Sequence, residues 1–424
     1  MSTVHEAAPP IGTSVSDVLA RGRVRGAAAM FGPALIAAIA YVDPGNFATN
    51  VSAGAEFGYA LVWVVVLANL MAMPVQFLSA KIGIVTGRTL PELCRDRYPA
   101  VVRWGLWLQA ELVTMATDVA EFLGAALGLH LLFGVPMLPG ALITAVVAFV
   151  VLGLQSRGYR PFERAISAML LLIAGGFLFE LLYVGPEPAQ AFAGLLPTLP
   201  GEGSAYLAVG IIGATVMPHV VYLHSALTSR RVSSASDAER RTILRFERWD
   251  VVVALGAAGL INLTMLMVAA ELFHGSGVTG ITGIEDAYAG LGSLAGGAAA
   301  LVFAVALLSS GISSSSVGTF AGQVVMAGFL NLRIPLAVRR LITMLPALLV
   351  IALGLNATDV LNLSQVVLSF GTPFALVPLL LITRDRAVMG SFASSRRMTA
   401  LMTAITTVIV GLNGYLLYEQ LLGS

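Results

Sequence analysis

Residues 37–49 read Ala-Ala-Ile-Ala-Tyr-Val-Asp-Pro-Gly-Asn-Phe-Ala-Thr, and this stretch decides how the chain folds. It lies inside a long apolar run, yet Asp43 carries a charge, Pro44 lacks an amide hydrogen and Gly45 has no side chain. A helix through this run should unwind here and leave backbone carbonyls and amides without helical partners. Because a carboxylate at membrane depth is costly, Asp43 is a candidate functional residue, with Asn46 beside it.

A second interruption of the same kind follows about 174 residues later. Residues 213–219 read Gly-Ala-Thr-Val-Met-Pro-His within another apolar run. A proline alone would indicate only a kinked helix. If predicted helices 1–5 and 6–10 are two copies of one unit, however, both breaks fall in the first helix of their unit. The odd number of helices inverts the second copy, and paired broken helices in an inverted repeat indicate a transporter site at the bilayer midplane.

The composition excludes a water-soluble globule. Of 424 residues, 57% are hydrophobic and 11% are charged, where soluble domains have about 25% charged residues. A membrane-spanning helix needs about 20 apolar residues. Eleven runs qualify, at approximately 30–54, 59–80, 104–129, 137–154, 165–184, 205–227, 251–273, 298–327, 336–354, 358–383 and 398–418. The sequence therefore predicts an all-α membrane protein with 11 transmembrane helices.

The positions of the basic residues orient these helices. All 24 Lys and Arg residues fall in the N-terminal tail or in the segments after predicted helices 2, 4, 6, 8 and 10. Cytoplasmic loops retain positive charge, which predicts a cytoplasmic N-terminus and an outside C-terminus. The predicted organisation is a tail at 1–28, a first repeat at 29–203, an inverted second repeat at 204–383, and a loop with an extra helix at 384–424.

Several function classes do not fit. A net charge of +1 gives no electrostatic footprint for nucleic acid. The single cysteine, Cys94, excludes thiolate metal clusters and an intramolecular disulfide. The serines of 309–316 lack a surrounding His and Asp pattern and are interpreted as small-residue helix packing. A zinc-protease His-Glu-x-x-His motif is absent from the sequence. We expect no enzyme activity and no bound cofactor.

The two breaks together carry the donors that a transition-metal ion prefers. Asp43 offers an anionic oxygen, Asn46 an amide oxygen and Met217 a thioether, and unwound carbonyls near Ala40 and Ala214 add further oxygens. Oxygen ligands alone would suit calcium or magnesium, whereas sulfur favours softer ions. The set is therefore biased towards manganese, iron and cadmium, and its single carboxylate suits transient binding.

A second set of polar residues lies on predicted helix 3. Glu111, Thr114, Asp118 and Glu121 are spaced by three, four and three residues, so they share one stripe of an otherwise apolar helix. Carboxylates shielded from water exchange protons near neutral pH, and the stripe therefore predicts a proton relay. Arg339 and Arg340, at the start of predicted helix 9, are the expected partners. The alternatives are structural ion pairs, or a Glu111 that reaches the cytoplasmic surface.

These motifs resemble those of a known family. Asp43-Pro44-Gly45-Asn46 with Met217-Pro218-His219 is similar to the Nramp family of proton-coupled divalent metal transporters, in particular its bacterial manganese transporters. Residues 311–329 resemble the family's transport signature in helix 8, although Ile312 and Ala327 stand where glutamine and glutamate are usual. Residues 364–376 resemble its tenth helix.

The resemblance implies a LeuT-like fold, a 5+5 inverted repeat with helices 1 and 6 broken around the ion. It implies metal coordination by the side chains of Asp43, Asn46 and Met217 and by the Ala214 carbonyl, joined in some conformations by the Ala40 carbonyl and Gln365. The resemblance assigns Asp118, Glu121, His219, Arg339 and Arg340 to the proton pathway. The stripe adds Glu111, and the metal site adds Asp43, where protons and metal interact.

The predicted function is proton-coupled import of manganese, iron and also cadmium by alternating access in the cell's inner (plasma) membrane. The transported substrates are then Mn²⁺, Fe²⁺ and H⁺, the surroundings are a lipid bilayer, and the sequence is compatible with a monomer. Two alternatives stay open: a sodium-coupled symporter of amino acids or organic cations on the same scaffold, which Met217 argues against, and a passive metal channel.

Overall fold

The structure is a computed structural model that describes residues 31–153, 159–229, 231, 236–274, 283–332 and 334–422. Within those ranges every regular element is a helix. The predicted N-terminal tail, residues 1–28, lies outside the described residues, as do Arg157, Arg230 and Arg333 of the predicted cytoplasmic loops.

The helices follow one another in the chain with short connections. They are α1 (Pro33–Ala40), α2 (Pro44–Phe57), α3 (Val62–Thr86), α4 (Leu90–Arg97), α5 (Ala100–Phe133), α6 (Met137–Gly153), α7 (Tyr159–Val184), α8 (Pro188–Ala193), α9 (Ser204–Thr215), α10 (Pro218–Ser229), α11 (Asp237–Ala269), α12 (Ile284–Leu294), α13 (Gly297–Leu330), α14 (Leu336–Ala352), α15 (Ala357–Arg384), α16 (Arg386–Met389) and α17 (Arg396–Leu422). One π-helical turn (Ala270–His274) extends α11, and short 3-10 turns lie at Gly58–Leu61 and Gly390–Phe392.

Each of the eleven predicted apolar runs coincides with one helix or with two helices separated by a break. Among the described residues, eight helical stretches are long and apolar enough to cross a membrane, with α2 and α3 counted together as one stretch. The chain is therefore a multi-pass helical membrane protein, as its composition predicts. The number of eleven spans and the division into repeats at residues 203 and 204 stay predictions.

Both predicted helix breaks are present. Helix α1 ends at Ala40 and α2 begins at Pro44, whereas α9 ends at Thr215 and α10 begins at Pro218. In each case the proline is the first residue of the second half-helix, a position that suits its fixed φ and its missing amide hydrogen. The two breaks thus have the same local cause.

The second broken helix lies at the centre of the molecule. In the stretch Ser204–Ser229, which is α9 with α10, 94% of the most apolar window is buried, compared with 28% for Pro161–Val184 of α7. An apolar helix with most of its surface uncovered faces the lipid, whereas α9 and α10 are enclosed by other helices on all sides.

Glycines allow the central helices to approach closely. A Cβ atom added at Gly213 of α9 would lie 1.9 Å from the backbone oxygen of Gln365 in α15. Where α5 meets α13, a Cβ at Gly128 would lie 2.9 Å from the Leu308 Cα, and one at Gly311 would lie 2.7 Å from the Ala125 nitrogen. Small residues at such crossings bring backbones together in membrane proteins.

We predict that Gly213→Ala destabilises the fold, because the new methyl group meets backbone atoms that cannot rotate away. Overpacking of this kind costs about 1–3 kcal/mol. Thermal unfolding of the purified protein in detergent measures the loss. The matched control is Gly411→Ala in α17, where no described heavy atom lies within 4 Å of the added Cβ. Equal midpoints for the two variants would contradict the close crossing.

Candidate functional site

The first break is stabilised by Asp43, which caps α2. Its Oδ1 atom accepts hydrogen bonds from the backbone N–H of Asn46 at 2.8 Å and from the side-chain Nδ2 of Asn46 at 2.7 Å. Both side chains are completely buried. Among the described residues, nothing donates a hydrogen bond to Asp43 Oδ2 or Asn46 Oδ1. The break therefore holds two buried oxygens in a fixed arrangement, each with a free lone pair.

The two prolines determine which backbone carbonyls are released. In an α-helix each carbonyl accepts from the amide four residues later, and the residues four after Ala40 and Ala214 are Pro44 and Pro218, which have no amide hydrogen. The Ala214 carbonyl instead accepts Asn46 Nδ2 at 3.0 Å, which joins the two breaks. The Ala40 carbonyl accepts no hydrogen bond from any described residue.

Three other carbonyls of the breaks accept hydrogen bonds from polar side chains of surrounding helices. Tyr41 O accepts from Asn262 of α11 at 2.8 Å, Val42 O from Ser310 of α13 at 2.6 Å, and Val216 O from Thr372 of α15 at 3.0 Å. Buried polar groups need such partners. Each of these three carbonyls therefore has a donor from a neighbouring helix, whereas the Ala40 carbonyl has none among the described residues.

Met217 and Gln365 complete the candidate site. Met217 lies in the second break, between α9 and α10, and is fully buried. The Gln365 side chain lies against the first break, because a Cβ added at Gly45 would be 1.9 Å from its Nε2 atom. Its Nε2 donates to Ser364, and its Oε1 has no hydrogen-bond partner among the described residues. Gln365 therefore adds a further free oxygen beside Asp43 and Asn46.

This donor set suits a cation that is held weakly. Among the described residues, no group of three or more His, Cys, Asp or Glu side chains could hold a metal ion. The breaks instead combine one carboxylate with amide and backbone oxygens, and a thioether sits in the second break. Oxygen donors bind hard cations, while sulfur extends the range to softer ones.

The acidic stripe of predicted helix 3 lies on α5 and starts beside the first break. A Cβ at Gly124 would lie 2.0 Å from the Pro44 Cβ, and one at Gly318 would lie 2.8 Å from Glu121 Oε2. From Gly124 to Glu111 the stripe spans 13 residues, about 20 Å at 1.5 Å per residue. The stripe therefore extends from the break towards the α4 end of α5.

The three acids of the stripe have different surroundings. Glu111, nearest the end of α5, forms an ion pair with Arg339 at 2.8 Å, which fits the alternative of a structural pair. Asp118 is buried, and its carboxylate interacts with Thr343 of α14 and with Glu121. Glu121 is equally buried. Asp118 and Glu121 lie one turn apart on the same face.

Arg340 donates hydrogen bonds to hydroxyl groups of α13, and its charge also interacts with the carboxylates of Asp118 and Glu121. Its guanidinium donates to Ser315 and Thr319, and it lies 5.1 Å from the ring centroids of both Phe122 and Phe149. It makes no ion pair with any described residue. His219 follows Pro218 in α10, and its Nδ1 atom lies 3.3 Å from Thr117 Oγ1 of α5. His219 thus connects the second break to the helix that carries the acids.

Comparison with known proteins identifies the family. The profile described as "Nramp: Natural resistance-associated macrophage protein-like" matches residues 34–419. The chain belongs to the Nramp family. It is 56% identical over 392 residues to the divalent metal cation transporter MntH of Deinococcus radiodurans, covering 92% of this chain and 90% of that protein.

Solved structures place this Nramp chain in the predicted fold class. A mutant of the manganese transporter of Eremococcus coleocola is similar with a TM-score of 0.84 and 31% identity, covering 96% of this chain and 91% of that one. MhsT in complex with L-phenylalanine shares the fold alone, with a TM-score of 0.59 at 12% identity over 91% of this chain and 98% of that one. The family resemblance and the LeuT-like fold class are confirmed.

Sequence reasoning missed several polar contacts of this Nramp chain. The serines of α13 do more than pack, because Ser310 binds the Val42 carbonyl and Ser315 binds Arg340. Asn262 and Thr372 are isolated polar residues in apolar helices, and this isolation could have indicated that they bind a buried polar group. Their targets are 221 and 156 residues away, so only the fold identifies the carbonyls they serve.

A further buried polar chain starts at the first break. Tyr41 accepts from Gln76 Nε2 at 2.7 Å, and Gln76 Oε1 lies 3.0 Å from His224 Nδ1. His224 Nε2 lies 2.9 Å from Glu247 Oε1. Through these buried polar groups, the first break is connected to α3, α10 and α11.

We predict that Ser310→Ala lowers stability by about 1–3 kcal/mol, because it leaves the buried Val42 carbonyl without a donor. Thermal unfolding of the detergent-solubilised protein measures this effect. Ser316→Ala is the control, since Ser316 Oγ bonds only the Ile312 carbonyl in its own helix, one turn earlier. A control that loses as much stability as Ser310→Ala would refute the role of Ser310 at the break.

Proposed function

We propose that this Nramp protein is a secondary active transporter that imports the divalent transition-metal ions Mn²⁺, Fe²⁺ and also Cd²⁺ together with protons. It would do so by alternating between an outward-open and an inward-open conformation. The observation that carries the proposal is the junction of the two breaks through Asn46 and the Ala214 carbonyl. Relatives named divalent metal cation transporter and manganese transporter support the substrate class.

The proposed metal site uses the donors that the prolines and the Asp43 cap leave available. Asp43 Oδ2, Asn46 Oδ1 and the Met217 sulfur would bind the ion, together with the Ala214 carbonyl once its bond to Asn46 is released. The Ala40 carbonyl and Gln365 Oε1 would join in some conformations. One carboxylate leaves a divalent charge incompletely neutralised, so the bound ion can leave again.

The proposed proton pathway begins at the metal site and follows α5. Metal binding favours ionised Asp43, so a proton on that carboxylate would have to leave. Asp118 is the proposed acceptor, with Glu121 between it and the break and His219 beside it. The pathway would then continue past Arg340 to the ion pair of Glu111 with Arg339. Protons and metal are thereby coupled at one carboxylate.

We further propose that the protein works in the inner (plasma) membrane with a cytoplasmic N-terminus and an outside C-terminus. The charge distribution supports this orientation, since the predicted cytoplasmic segments contain all 24 Lys and Arg residues. The acidic stripe of α5 then leads from the break to the cytoplasmic side, because α4 with its arginines precedes α5. Protons and metal would leave towards the same compartment.

Uptake of radiolabelled manganese into proteoliposomes, with and without an inward proton gradient, tests the proposal. We expect the gradient to accelerate uptake in sodium-free buffer, and Asp43→Ala to reduce it to the level of empty vesicles. The control is Asp359→Asn, which removes a surface carboxylate at the start of α15. Uptake that ignores the pH gradient would indicate a channel, and uptake that requires sodium would indicate the symporter alternative.

Met217 is predicted to set the choice between metals. Met217→Ala should keep manganese transport but allow calcium or magnesium to compete, because only the sulfur disfavours hard ions. Competition by each ion against labelled manganese measures the change. Met265→Ala, a buried methionine of α11 that lies outside the breaks, is the control. Unchanged selectivity in Met217→Ala would refute the role of the sulfur.

Asp118 is predicted to couple the two flows. Asp118→Asn should reduce proton entry more strongly than it reduces metal binding, since the amide cannot accept the proton released at Asp43. An intravesicular pH dye recorded beside metal uptake separates the two quantities. If proton and metal flux fall in parallel, Asp118 has no separate role in proton transfer.

A further inference from the structure

A cavity of about 820 Å³ lies away from the breaks, where α15 ends and α17 begins. Its size is within the range of about 300–1,000 Å³ that is typical of ligand sites. The lining residues come from the end of α15, the following loop and the first turns of α17: Arg384, Ser394, Arg396, Thr399, Ala400, Thr403, Ala404, Thr407 and Val408.

One end of the cavity is positively charged. Arg384 and Arg396 line it, and neither forms an ion pair or a hydrogen bond with any described residue. Ser394 Oγ is shielded from solvent and also has no hydrogen-bond partner there. The nearby carboxylate of Asp385 is already engaged by Arg97. Two cationic side chains and a hydroxyl therefore converge on one space without an anion from the protein.

The rest of the cavity is an apolar groove on α17. The groove forms because the side chains on successive turns of this helix are small. They belong to Ala400, Thr403, Ala404 and Thr407, and all four residues are exposed on the isolated chain. From Arg396 to Val408 the groove covers 12 residues, about 18 Å along the helix axis. One leaflet is half of a hydrocarbon core of about 30 Å. The groove thus has the length of one leaflet.

We propose that this cavity binds an anionic phospholipid, with the headgroup phosphate between Arg384 and Arg396 and an acyl chain along the α17 groove. Arginine is well suited to phosphate because its planar guanidinium donates two parallel hydrogen bonds. Basic pockets between membrane helices recognise such headgroups. A free phosphate would use the charged end only and would leave the leaflet-long groove without a function.

The loop that carries the charged end is held in place before any lipid binds. Arg97 of α4 pairs with Asp385, and Ser391 Oγ donates to Asp237 Oδ2 of α11 at 2.9 Å. The Ala387 amide and the Arg97 guanidinium hold the pKa of Asp385 below its ordinary value, so this carboxylate stays ionised and paired. A bound lipid would therefore connect α15 and α17 to a loop already fixed to two other helices.

Native mass spectrometry of the delipidated full-length protein tests the proposal, with phosphatidylglycerol and phosphatidylcholine titrated separately. We expect the wild type to retain phosphatidylglycerol preferentially. The double variant R384Q/R396Q should weaken that binding roughly 25-fold, since each basic group near an anionic headgroup contributes a factor of about five. The charge-matched control R386Q/R397Q removes two arginines outside the cavity and should bind within about twofold of the wild type.

A second variant separates the groove from the charges. Ala404→Trp fills the groove, keeps both arginines and should also abolish retention of phosphatidylglycerol. Equal retention of both lipids by the wild type, an equal loss in the control variant, or unaltered binding in Ala404→Trp would overturn the proposal. Displacement of the lipid by inorganic phosphate at equal concentration would also overturn it, since the site would then recognise only a free anion.

Discussion

Two prolines, neither of which has an amide hydrogen, organise the centre of this protein. Pro44 and Pro218 each stand four residues after an alanine, so the carbonyls of Ala40 and Ala214 meet no amide hydrogen at the position that would continue the helix. A buried carbonyl without a donor is costly in a membrane. The cost at Ala214 is offset by Asn46, which reaches across from the other break. The local chemistry of proline thus becomes a contact between two distant segments.

The surrounding helices limit the number of oxygens near the breaks that remain without a hydrogen-bond donor. Asn262, Ser310 and Thr372 occupy the neighbouring carbonyls of the breaks. Asp43, Asn46 and Gln365 each keep an oxygen without a hydrogen-bond partner among the described residues, and the Gln365 side chain lies against Gly45, between the other two in the chain. In the proposed site, a cation that binds these oxygens would replace a set of incomplete hydrogen bonds, which would help a site with only one carboxylate to attract it. The acids of α5 begin one helix away, where Gly124 contacts Pro44.

The breaks could be predicted from the sequence because their cause is local. A proline and a glycine within an apolar run specify an unwound segment wherever the helix packs, and the helix positions followed from hydropathy alone. The partners of the break carbonyls could not be predicted in this way. Ser310 is 268 residues from Val42, and nothing in the serine-rich segment distinguishes it from Ser316, which bonds only its own helix. Arg340 interacts electrostatically with Asp118 and Glu121, as the sequence suggested. Its hydrogen bonds to the hydroxyls of Ser315 and Thr319 could not be predicted, since the tertiary packing decides which groups meet.

X-ray absorption spectroscopy of Cd²⁺ bound to the purified protein reports the atoms around the ion and so tests whether the two breaks hold it jointly. We expect one sulfur among mostly oxygen neighbours in the wild type. That sulfur should disappear in Met217→Leu, which keeps the size of the side chain and removes the thioether. A wild-type coordination shell without sulfur, or one that Met217→Leu leaves unchanged, would contradict a single ion held jointly by the two breaks.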